Sequence, residues 1–576
     1  MPPQDSSGST KSHPPTQYGP RAPFFSAPPW VRSYKAKWLK RDLLAGITLA
    51  AYAIPVSLAY AVLAGLPPQV GIYCYLVGGL GYALLGSSRH LAVGPTSAIS
   101  LIFAVALGHL ANNDPSRLLQ MASITTMMVA AVFALAWLLR LSVLVNFISE
   151  SVLVGFKAGA ALAIAMTQLP KLFGTPGGGD NFFSRLVTLI EQVSVINPVV
   201  LVLALTTMIL LTIGDKLYPG RPVALAVVIL SLLAVPVLNL QQYGITLVGL
   251  LPAGLPSLDL TRFKLIDFSV QEIREMARLA GACFLLSYIE SISAARTFAI
   301  KHRYDIDARR ELLALSTANL FSALFQGYPS AGGLSQSAVN EKAGARSPLA
   351  LLFASLVLGL VLLYLTGLLR NLPQAVLAAV VLVAIRGLVN LKEVQHLWHV
   401  SRVDFYAALV AFLGVLVLGI LDGVILALLA SLLMLLKRSA TPHVAFLGRI
   451  PGTSRFSDLA RHPTNEFLPR ALAFRVEAPI LYFNVEHILR SVLEQVRNTA
   501  LPLQVVVCDL STSPYVDIAG ARMLMRLHKE LGARGIKFRV VEAHAEVRDI
   551  LRGEGLEEHI GRISRGVAMA DVLGEY

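Results

Sequence analysis

Charged side chains are scarce in this chain of 576 residues, of which Asp, Glu, Lys and Arg make up 15%. An average soluble protein has roughly 25%. Apolar residues reach 55% of the sequence, and the mean hydropathy of +0.63 is too high for a surface that faces water on all sides. This composition excludes a purely soluble enzyme and a disordered scaffold. It also argues against a nucleic-acid-binding protein, because most of the basic residues behind the net charge of +14 lie between apolar runs.

Cysteine is also rare. Cys74, Cys283 and Cys508 lie far apart in the sequence and indicate neither a disulfide framework nor a zinc site. The apolar part of the chain shows no cluster of His, Asp and Glu with metal-ligand spacing and no nucleophile beside a base, so we expect neither a membrane enzyme nor a cofactor. The stretch GTPGGGD at 174–180 lacks the lysine of a phosphate-binding loop, and we expect it on the outer side of a membrane.

The N-terminal segment lacks the apolar core of a signal peptide. Residues 1–40 are rich in Pro, Ser and Gln, and this composition predicts a disordered tail. Four basic residues adjoin the first apolar run: Lys35, Lys37, Lys40 and Arg41. Because positive charge beside a membrane segment favours the cytoplasmic side, we expect a cytoplasmic N-terminus.

Apolar runs fill residues 41–438 and predict an α-helical membrane domain of fourteen segments. The third and the tenth are shorter than the roughly 20 residues that a helix needs to cross a bilayer, and they open on Gly94-Pro95 and Gly332-Gly333. Because the shortest runs are ambiguous, counts of twelve and thirteen stay open. The predicted segments are 42–64, 70–86, 93–109, 117–139, 143–169, 198–217, 222–238, 274–298, 307–327, 332–344, 347–367, 373–389, 402–419 and 421–438.

Basic residues concentrate in alternate loops, which is the pattern of positive charge on the cytoplasmic side. This pattern supports an even number of spans. Since the two short segments are seven apart, the second half of the domain is predicted to be an inverted copy of the first, and Ala45-Gly46 has a counterpart in Ala280-Gly281. Paired short segments interrupted by Gly or Pro are a good sequence indication of a transporter binding site.

The composition changes after residue 438. Residues 439–470 are polar and contain several Pro and Gly, which predicts a linker. Residues 471–576 alternate apolar strands with amphipathic helices, as in a small cytoplasmic α/β domain. We expect two strands in 471–485, further strands at 503–511 and 536–543, and helices at 487–498, 518–532 and 545–554.

Four membrane motifs, in order, resemble the SulP sulfate-permease family of inorganic-anion transporters. They are AGLPPQVGIY (64–73), GSSRHLAVGPTSAIS (86–100), SYIESISAARTFA (287–299) and GLSQSAVNEKAGARSPLA (333–350). The stretch VVVCDLSTSPYVDIAG (505–520) resembles the core of the STAS domain that such proteins carry at the C-terminus. The resemblance covers about residues 40 to 576. It implies a seven-plus-seven inverted repeat with a core and a gate domain over 41–438, followed by a STAS domain over 471–576.

The resemblance places the anion between the ends of the third and tenth segments. The properties of helix termini support this placement, because a helix that starts inside the membrane presents unpaired backbone N–H groups and the positive end of its dipole. Two such ends facing each other form an anion site without a fixed cation. The predicted substrate-binding residues are Thr96, Ser97, Ala98, Leu334, Ser335, Gln336 and Ser337.

Glu290 lies inside the eighth segment. A carboxylate at membrane depth is costly, so it should face a cavity or be protonated part of the time. In proton-coupled members of the resembled family a carboxylate at this place is thought to carry the proton, and Glu290 is therefore the predicted coupling residue. A pairing with Arg296 is the alternative. Glu150 and Lys157 lie two turns apart on one face of the fifth segment, and a contact of Lys157 within this helix or elsewhere in the gate domain is the preferred interpretation.

Two positions depart from the family pattern. Many plant and animal relatives have Arg where this chain has Gln336, so a fixed positive charge is missing from the predicted anion site. In the C-terminal domain, Asp517 is followed by Ile518, whereas anti-sigma-factor antagonists have a phosphorylated Ser there. We therefore expect Asp517 to cap a helix, without a phosphoswitch.

These observations predict a secondary active transporter of a small inorganic anion, with sulfate as the expected substrate, by proton symport with alternating access. Sodium-coupled uptake of bicarbonate or a dicarboxylate by the same fold is one alternative, and a passive anion channel is another. The expected partners are the anion, the coupling ion, the lipid bilayer and a second copy of the chain, with no nucleic acid. The expected location is a bacterial inner membrane.

Overall fold

The computed structural model describes residues 29–574 apart from 33, 109, 112–113, 143–148, 180, 219–221, 250, 387–388, 500 and 565–566. Most of the predicted tail, residues 1–28, and the start of the predicted fifth segment at 143–148 lie outside the described residues. The chain separates into two compact units, residues 1–427 and 428–576.

Within the described residues, each of the fourteen predicted segments coincides with one helix, and we number these helices α1 to α14. By length and composition α1, α4, α5, α6 and α8 are able to cross a membrane on their own. The predicted short segments are α3, with 12 residues, and α10, with 9. The helices are α1 Leu39–Leu63, α2 Gln69–Leu85, α3 Ser97–Gly108, α4 Pro115–Leu138, α5 Glu150–Phe173, α6 Pro198–Leu217, α7 Val223–Val237, α8 Val270–His302, α9 Ala308–Leu324, α10 Leu334–Lys342, α11 Leu349–Tyr364, α12 Gln374–Ile385, α13 Arg402–Leu418 and α14 Ile420–Ala440.

Two helices of ten residues each, Phe182–Glu191 and Leu391–Val400, also lie in connections between these segments. The sequence analysis did not predict them. Each has apolar residues on one face and is too short to cross a bilayer, so the apolar-run criterion does not detect it.

The membrane unit consists of two bundles whose contacts repeat with an offset of seven helices. In the first bundle α1 packs on α11 as α8 packs on α4, and α1 packs on α10 as α8 packs on α3. In the second bundle α5 packs on α13 as α12 packs on α6. This equivalence is the structural form of the predicted seven-plus-seven repeat. Helices α1–α4 with α8–α11 form the core bundle, and α5–α7 with α12, α13 and the start of α14 form the gate bundle.

A two-stranded antiparallel pairing lies in the middle of the core bundle. Strand β1 (Val93–Gly94) pairs with β2 (Ala331–Gly332), and each strand leads directly into a short helix. A Cβ atom at Gly94 would lie 2.5 Å from the Tyr75 ring, and one at Gly332 would lie 2.6 Å from Leu91. A side chain at either position would therefore displace these neighbours, and glycine leaves room for them beside the crossing.

The C-terminal unit contains a five-stranded sheet in the order β4-β3-β5-β6-β7. Strand β3 is antiparallel to β4 and β5, whereas β5, β6 and β7 run parallel. The strands are β3 Val444–Arg449, β4 Phe456–Asp458, β5 Ala471–Val476, β6 Val505–Asp509 and β7 Lys537–Val541, and the helices are α15 Val485–Asn498, α16 Ile518–Gly532, α17 Ala545–Gly553, α18 Leu556–Ile560 and α19 Met569–Gly574.

Two predictions for this region are corrected. Residues 439–470 are not only a linker, because β3 and β4 lie there and β3 extends the sheet through its pairing with β5. Residues 471–485 form one strand, not two, because the chain leaves the sheet before Pro479 and Ile480 makes only an isolated bridge to Val516. The predicted cap is confirmed: the Asp517 side chain accepts a hydrogen bond of 2.8 Å from the Gly520 N–H at the start of α16.

Candidate anion site

The crossing of β1 and β2 brings the N-termini of α3 and α10 to one place in the core bundle. Helix α3 begins at Ser97 and α10 at Leu334. The first N–H groups of a helix have no partner within it, so each terminus presents backbone donors together with the positive end of a helix dipole. The local chain direction is set by Pro95 and by the extended Gly333, which has φ −79° and ψ 143°.

A cavity of about 120 Å³ lies at these two helix ends. It brings together six of the eight residues predicted for the site: Thr96, Ser97, Leu334, Ser335, Gln336 and Glu290. Tyr52 and Tyr60 of α1, Ser293 of α8 and Ala384 of α12 complete much of the wall. The other two predicted residues, Ala98 and Ser337, are buried and do not line this cavity.

The two serines of α10 have different environments. Ser335 is exposed to the cavity, and its hydroxyl has no partner among the described residues. Ser337 is fully buried: its Oγ accepts a hydrogen bond of 3.0 Å from the Ala92 N–H and donates one of 2.7 Å to the Gly333 carbonyl. The Ser337 hydroxyl therefore holds the crossing together, while the Ser335 hydroxyl is available to a ligand.

Gln336 is also committed to the crossing. Its Nε2 donates to the carbonyls of Ala92, at 2.9 Å, and Ala331, at 3.0 Å. Its Oε1 accepts a hydrogen bond from the Tyr75 hydroxyl, and only 3% of the residue is exposed. The Gln336 side chain thus ties both strands of the crossing to α2, and what it offers to the cavity is mainly its backbone N–H.

Glu290 faces the cavity from α8, and its Oε2 is buried without a hydrogen-bond partner. The alternative of an ion pair with Arg296 finds no support, because the structure describes both residues and no ion pair joins them. A buried carboxylate oxygen without a partner is costly when charged. The arrangement suits a group that exchanges a proton or meets a cation during function.

Lys157 of α5 is the residue that the sequence reasoning placed elsewhere. It lines the same cavity as Glu290, from the gate bundle, and in the described part of α5 no ion pair joins it to Glu150. A signal was present, since a lysine in the middle of an apolar span usually faces a cavity or a partner. The structure thus supplies a positive charge at the site that position 336 does not provide.

A second cavity, of about 340 Å³, adjoins the first and shares Tyr52, Ser335 and Ala384 with it. It extends along the C-terminal half of α10 to Lys342 and along the end of α6 to Asp215. These ends point to the same membrane face as the start of α1, where the basic cluster precedes the first span. The second cavity therefore extends from the candidate site toward the N-terminal face.

Comparison with known proteins agrees with this architecture. The model of the sulfate permease family matches residues 39–411, and the model of the STAS domain matches residues 462–570. A probable sulfate transporter of Mycobacterium tuberculosis is 33% identical over 530 residues, covering 92% of this chain and 94% of that protein. The chloroplastic sulfate transporter 4.1 of Arabidopsis thaliana is 30% identical over 555 residues, covering 92% of this chain and 79% of that one.

Solved structures show the same fold. The murine anion transporter Slc26a9 in the inward-facing state matches with a TM-score of 0.84 at 23% identity, over 95% of this chain and 93% of that one. The transmembrane domain of the cyanobacterial bicarbonate transporter BicA matches with a TM-score of 0.59 at 24% identity, over 69% of this chain and 98% of that one. The predicted fold class is thereby confirmed. The chain belongs to the sulfate permease family of multi-pass membrane transporters and carries a STAS domain after its membrane-spanning part.

Proposed function

We propose that this protein takes up a small inorganic anion, sulfate in the first place, by alternating access and in symport with protons. The observation that carries the proposal is the pair of half-helices whose N-termini meet at one cavity. The names of the relatives, which are sulfate transporters, support the choice of sulfate. In this proposal the chain resides as a homodimer in a bacterial inner membrane, with its N-terminus and STAS domain in the cytoplasm.

Three kinds of donor would hold the anion. The backbone N–H groups at the starts of α3 and α10 contribute hydrogen bonds and the favourable dipole potential. The Ser97 and Ser335 hydroxyls at the cavity wall add neutral donors. The Lys157 ammonium adds the full positive charge that a dianion requires in a site of low polarity.

Glu290 would couple this binding to the proton gradient. When Glu290 is protonated, Lys157 is the uncompensated charge beside the cavity, and an anion is attracted. When Glu290 loses its proton, its carboxylate competes with the anion for Lys157 and repels the anion, so release is favoured. Protonation on the outer side and deprotonation in the cytoplasm would then give net uptake of anion and proton together.

Access would alternate because the site lies between the two bundles. The half-helices and Glu290 belong to the core bundle, whereas Lys157 and Ala384 reach the cavity from the gate bundle. Displacement of one bundle along the other would close the path past Ser335 and Lys342 and open a path on the opposite face. Such rigid-body displacement around a site at the repeat interface is the usual route of alternating access.

The test uses purified protein in liposomes that contain no sulfate, with labelled sulfate outside and an imposed proton gradient. We expect accumulation above the outside concentration, which a passive channel cannot produce. The matched variants are Leu334→Pro and Leu334→Ala. Gly333 is already extended as proline requires of its predecessor, and the first turn of a helix accepts proline, so Leu334→Pro removes a backbone donor without breaking α10.

We expect Leu334→Pro to weaken sulfate binding while Leu334→Ala, which keeps the N–H, binds nearly as the parent does. Equal affinities for the two variants would refute the backbone site. Uptake that requires sodium, ignores the proton gradient and is blocked by unlabelled bicarbonate would refute sulfate–proton symport and would favour the sodium-coupled alternative.

A further inference from the structure

A third cavity, which the proposed mechanism does not use, lies on the face opposite the N-terminus. It has about 340 Å³ and is formed by the C-terminal parts of α1, α3 and α5 together with the loop 174–179 and Arg185 of the helix Phe182–Glu191. We call it the outer cavity. It shares none of its lining residues with the candidate anion site.

The outer cavity is basic. Its described lining includes Lys171 and Arg185 and no acidic side chain. No described acidic residue forms an ion pair with Lys171. Positive charge in a cavity attracts anions from the adjoining solution, and Lys171 supplies such a charge here.

The wall of the outer cavity is ordered by side-chain hydrogen bonds. Gln192 holds Gly177 through two of them, accepting from its N–H at 2.9 Å and donating to its carbonyl at 3.0 Å. Arg185 donates from Nε to the Gly179 carbonyl at 2.9 Å. At the centre of this loop, the Oγ1 of Thr175 is buried and has no partner. Because Thr175 lines the cavity, a rotation of its side chain would turn this unsatisfied hydroxyl toward a bound anion.

The outer cavity lies close to the candidate anion site. On α1, Leu63 of the outer cavity follows Tyr60 of the site by three residues, and on α3, Leu101 follows Ser97 by four. At about 1.5 Å of rise per residue the two cavities are about 4.5–6 Å apart along these helices. The partition consists of apolar side chains, since Leu63 is 6% exposed and Leu101 is 3% exposed.

We infer that the outer cavity is a second anion-binding site, which captures a small inorganic oxyanion from the outer solution before the partition at Leu63 and Leu101 opens. Lys171 supplies the charge, and the hydroxyl of Thr175 is one of its hydrogen-bond donors. The direction of capture depends on the uptake proposed above, but the existence of the site does not. It can therefore be tested without transport.

The test is thiol labelling of full-length protein in detergent micelles. The native Cys74, Cys283 and Cys508 are buried. Thr175 lines the outer cavity and as a residue is only half-buried, so a Thr175→Cys variant reports on this cavity, with the parent chain as the background control. Its labelling rate is measured with an anionic and a cationic methanethiosulfonate of similar size, with and without sulfate. The charge is removed by Lys171→Gln in the Thr175→Cys background. Lys264→Gln, which neutralises an exposed lysine in the loop before α8, is the matched control.

We expect the anionic reagent to react faster than the cationic one, and sulfate to slow both. Lys171→Gln should lower the anionic-to-cationic rate ratio by on the order of tenfold and abolish protection by sulfate, while Lys264→Gln leaves both unchanged. Equal effects of the two lysine variants would overturn the inference. So would a labelling rate of Thr175→Cys, with Lys171 intact, that sulfate does not lower. If Thr175→Cys does not fold, Ala104→Cys on the opposite wall takes its place.

Failure of the proposed function has a different signature. Leu334→Pro in the Thr175→Cys background should lose high-affinity transport but keep sulfate protection of Cys at 175, because the outer cavity does not include α10. Loss of protection in that variant would show that the labelling reports on the central site, and the second site would be refuted. In liposomes, Lys171→Gln should also lower kcat/KM for uptake and make it less sensitive to ionic strength.

Discussion

Ser335 and Ser337 provide the sharpest test of how the anion site is built, because they are two residues apart on α10 and the structure gives them opposite roles. Ser335→Ala removes a hydroxyl that lines the cavity. A hydrogen bond to a charged group contributes about 1.5–3 kcal/mol, so the Kd for sulfate should rise by about tenfold to 150-fold. The stability of the fold should not change, since this hydroxyl has no partner among the described residues.

Ser337→Ala should do the reverse. It leaves the buried Ala92 N–H without its acceptor at 3.0 Å, and an unsatisfied buried donor costs about 1–3 kcal/mol. We expect a lower thermal unfolding temperature in detergent, with the Kd of the folded protein changed less than about threefold.

The assays are isothermal titration with sulfate and thermal unfolding followed by intrinsic fluorescence, on both variants and the parent. Selenate or another tetrahedral dianion can replace sulfate where heats are small. If Ser337→Ala weakens binding as much as Ser335→Ala and unfolds at the parent temperature, the assignment of the two hydroxyls is wrong. If Ser335→Ala leaves the Kd unchanged, the cavity at the half-helix ends does not hold the anion through this residue.

Three further outcomes follow from the same structure. Glu290→Gln, a permanent analogue of the protonated form, should still exchange sulfate for sulfate but lose proton-driven accumulation; accumulation that survives under a proton gradient alone would remove Glu290 from the coupling. Lys157→Gln should raise the Kd for sulfate by about tenfold or more, because a charge-assisted hydrogen bond is lost, while Lys157→Arg retains most of the affinity; titration calorimetry of both variants decides, and an unchanged Kd in Lys157→Gln would place the lysine outside the site. In the C-terminal unit, the Arg475 guanidinium donates a hydrogen bond of 2.7 Å to the buried Asp509 carboxylate, so Arg475→Ala should destabilise this unit by about 3–5 kcal/mol. Calorimetry should show a lower unfolding temperature for Arg475→Ala, and Arg475→Lys should recover part of the loss.

The sequence contained most of the information needed to predict the fold. Apolar run lengths predict the fourteen membrane helices because a bilayer requires long helical segments of low polarity. The glycines before α3 and α10 predict the interruption of two helices, and the structure shows why they are needed: a side chain at Gly94 or Gly332 would overlap its neighbours. In the C-terminal unit, by contrast, β3 and β4 were missed because short strands next to polar turns have no distinctive composition.

The site was less predictable than the fold. The N-terminal positions of the half-helices could be placed from their starting residues, but the direction of each side chain depends on helix phase. Ser335 and Ser337 are two residues apart and point about 200° apart around a helix with 3.6 residues per turn, so only one of them reaches the cavity. For Lys157, the apolar span around it indicated a cavity or a partner but not which one, because its neighbour at the site, Glu290, comes from α8, more than a hundred residues later.

The crossing of β1 and β2 also has a consequence for energetics over a transport cycle. Gln336 bonds Ala92 and Ala331, and Ser337 bonds Ala92, so the two half-helices are fastened to each other by contacts that do not involve the anion. The donors at their ends therefore form a preorganised group, which we call the cradle, and it keeps its geometry while the core bundle moves from one face to the other. None of the binding free energy of the anion is then used to order these donors. Among the described lining residues, Lys157 and Ala384 are the ones that the cradle would leave behind as it moves. We expect the difference in affinity between the two faces to arise mainly from the changing distance between the cradle and a single ammonium group.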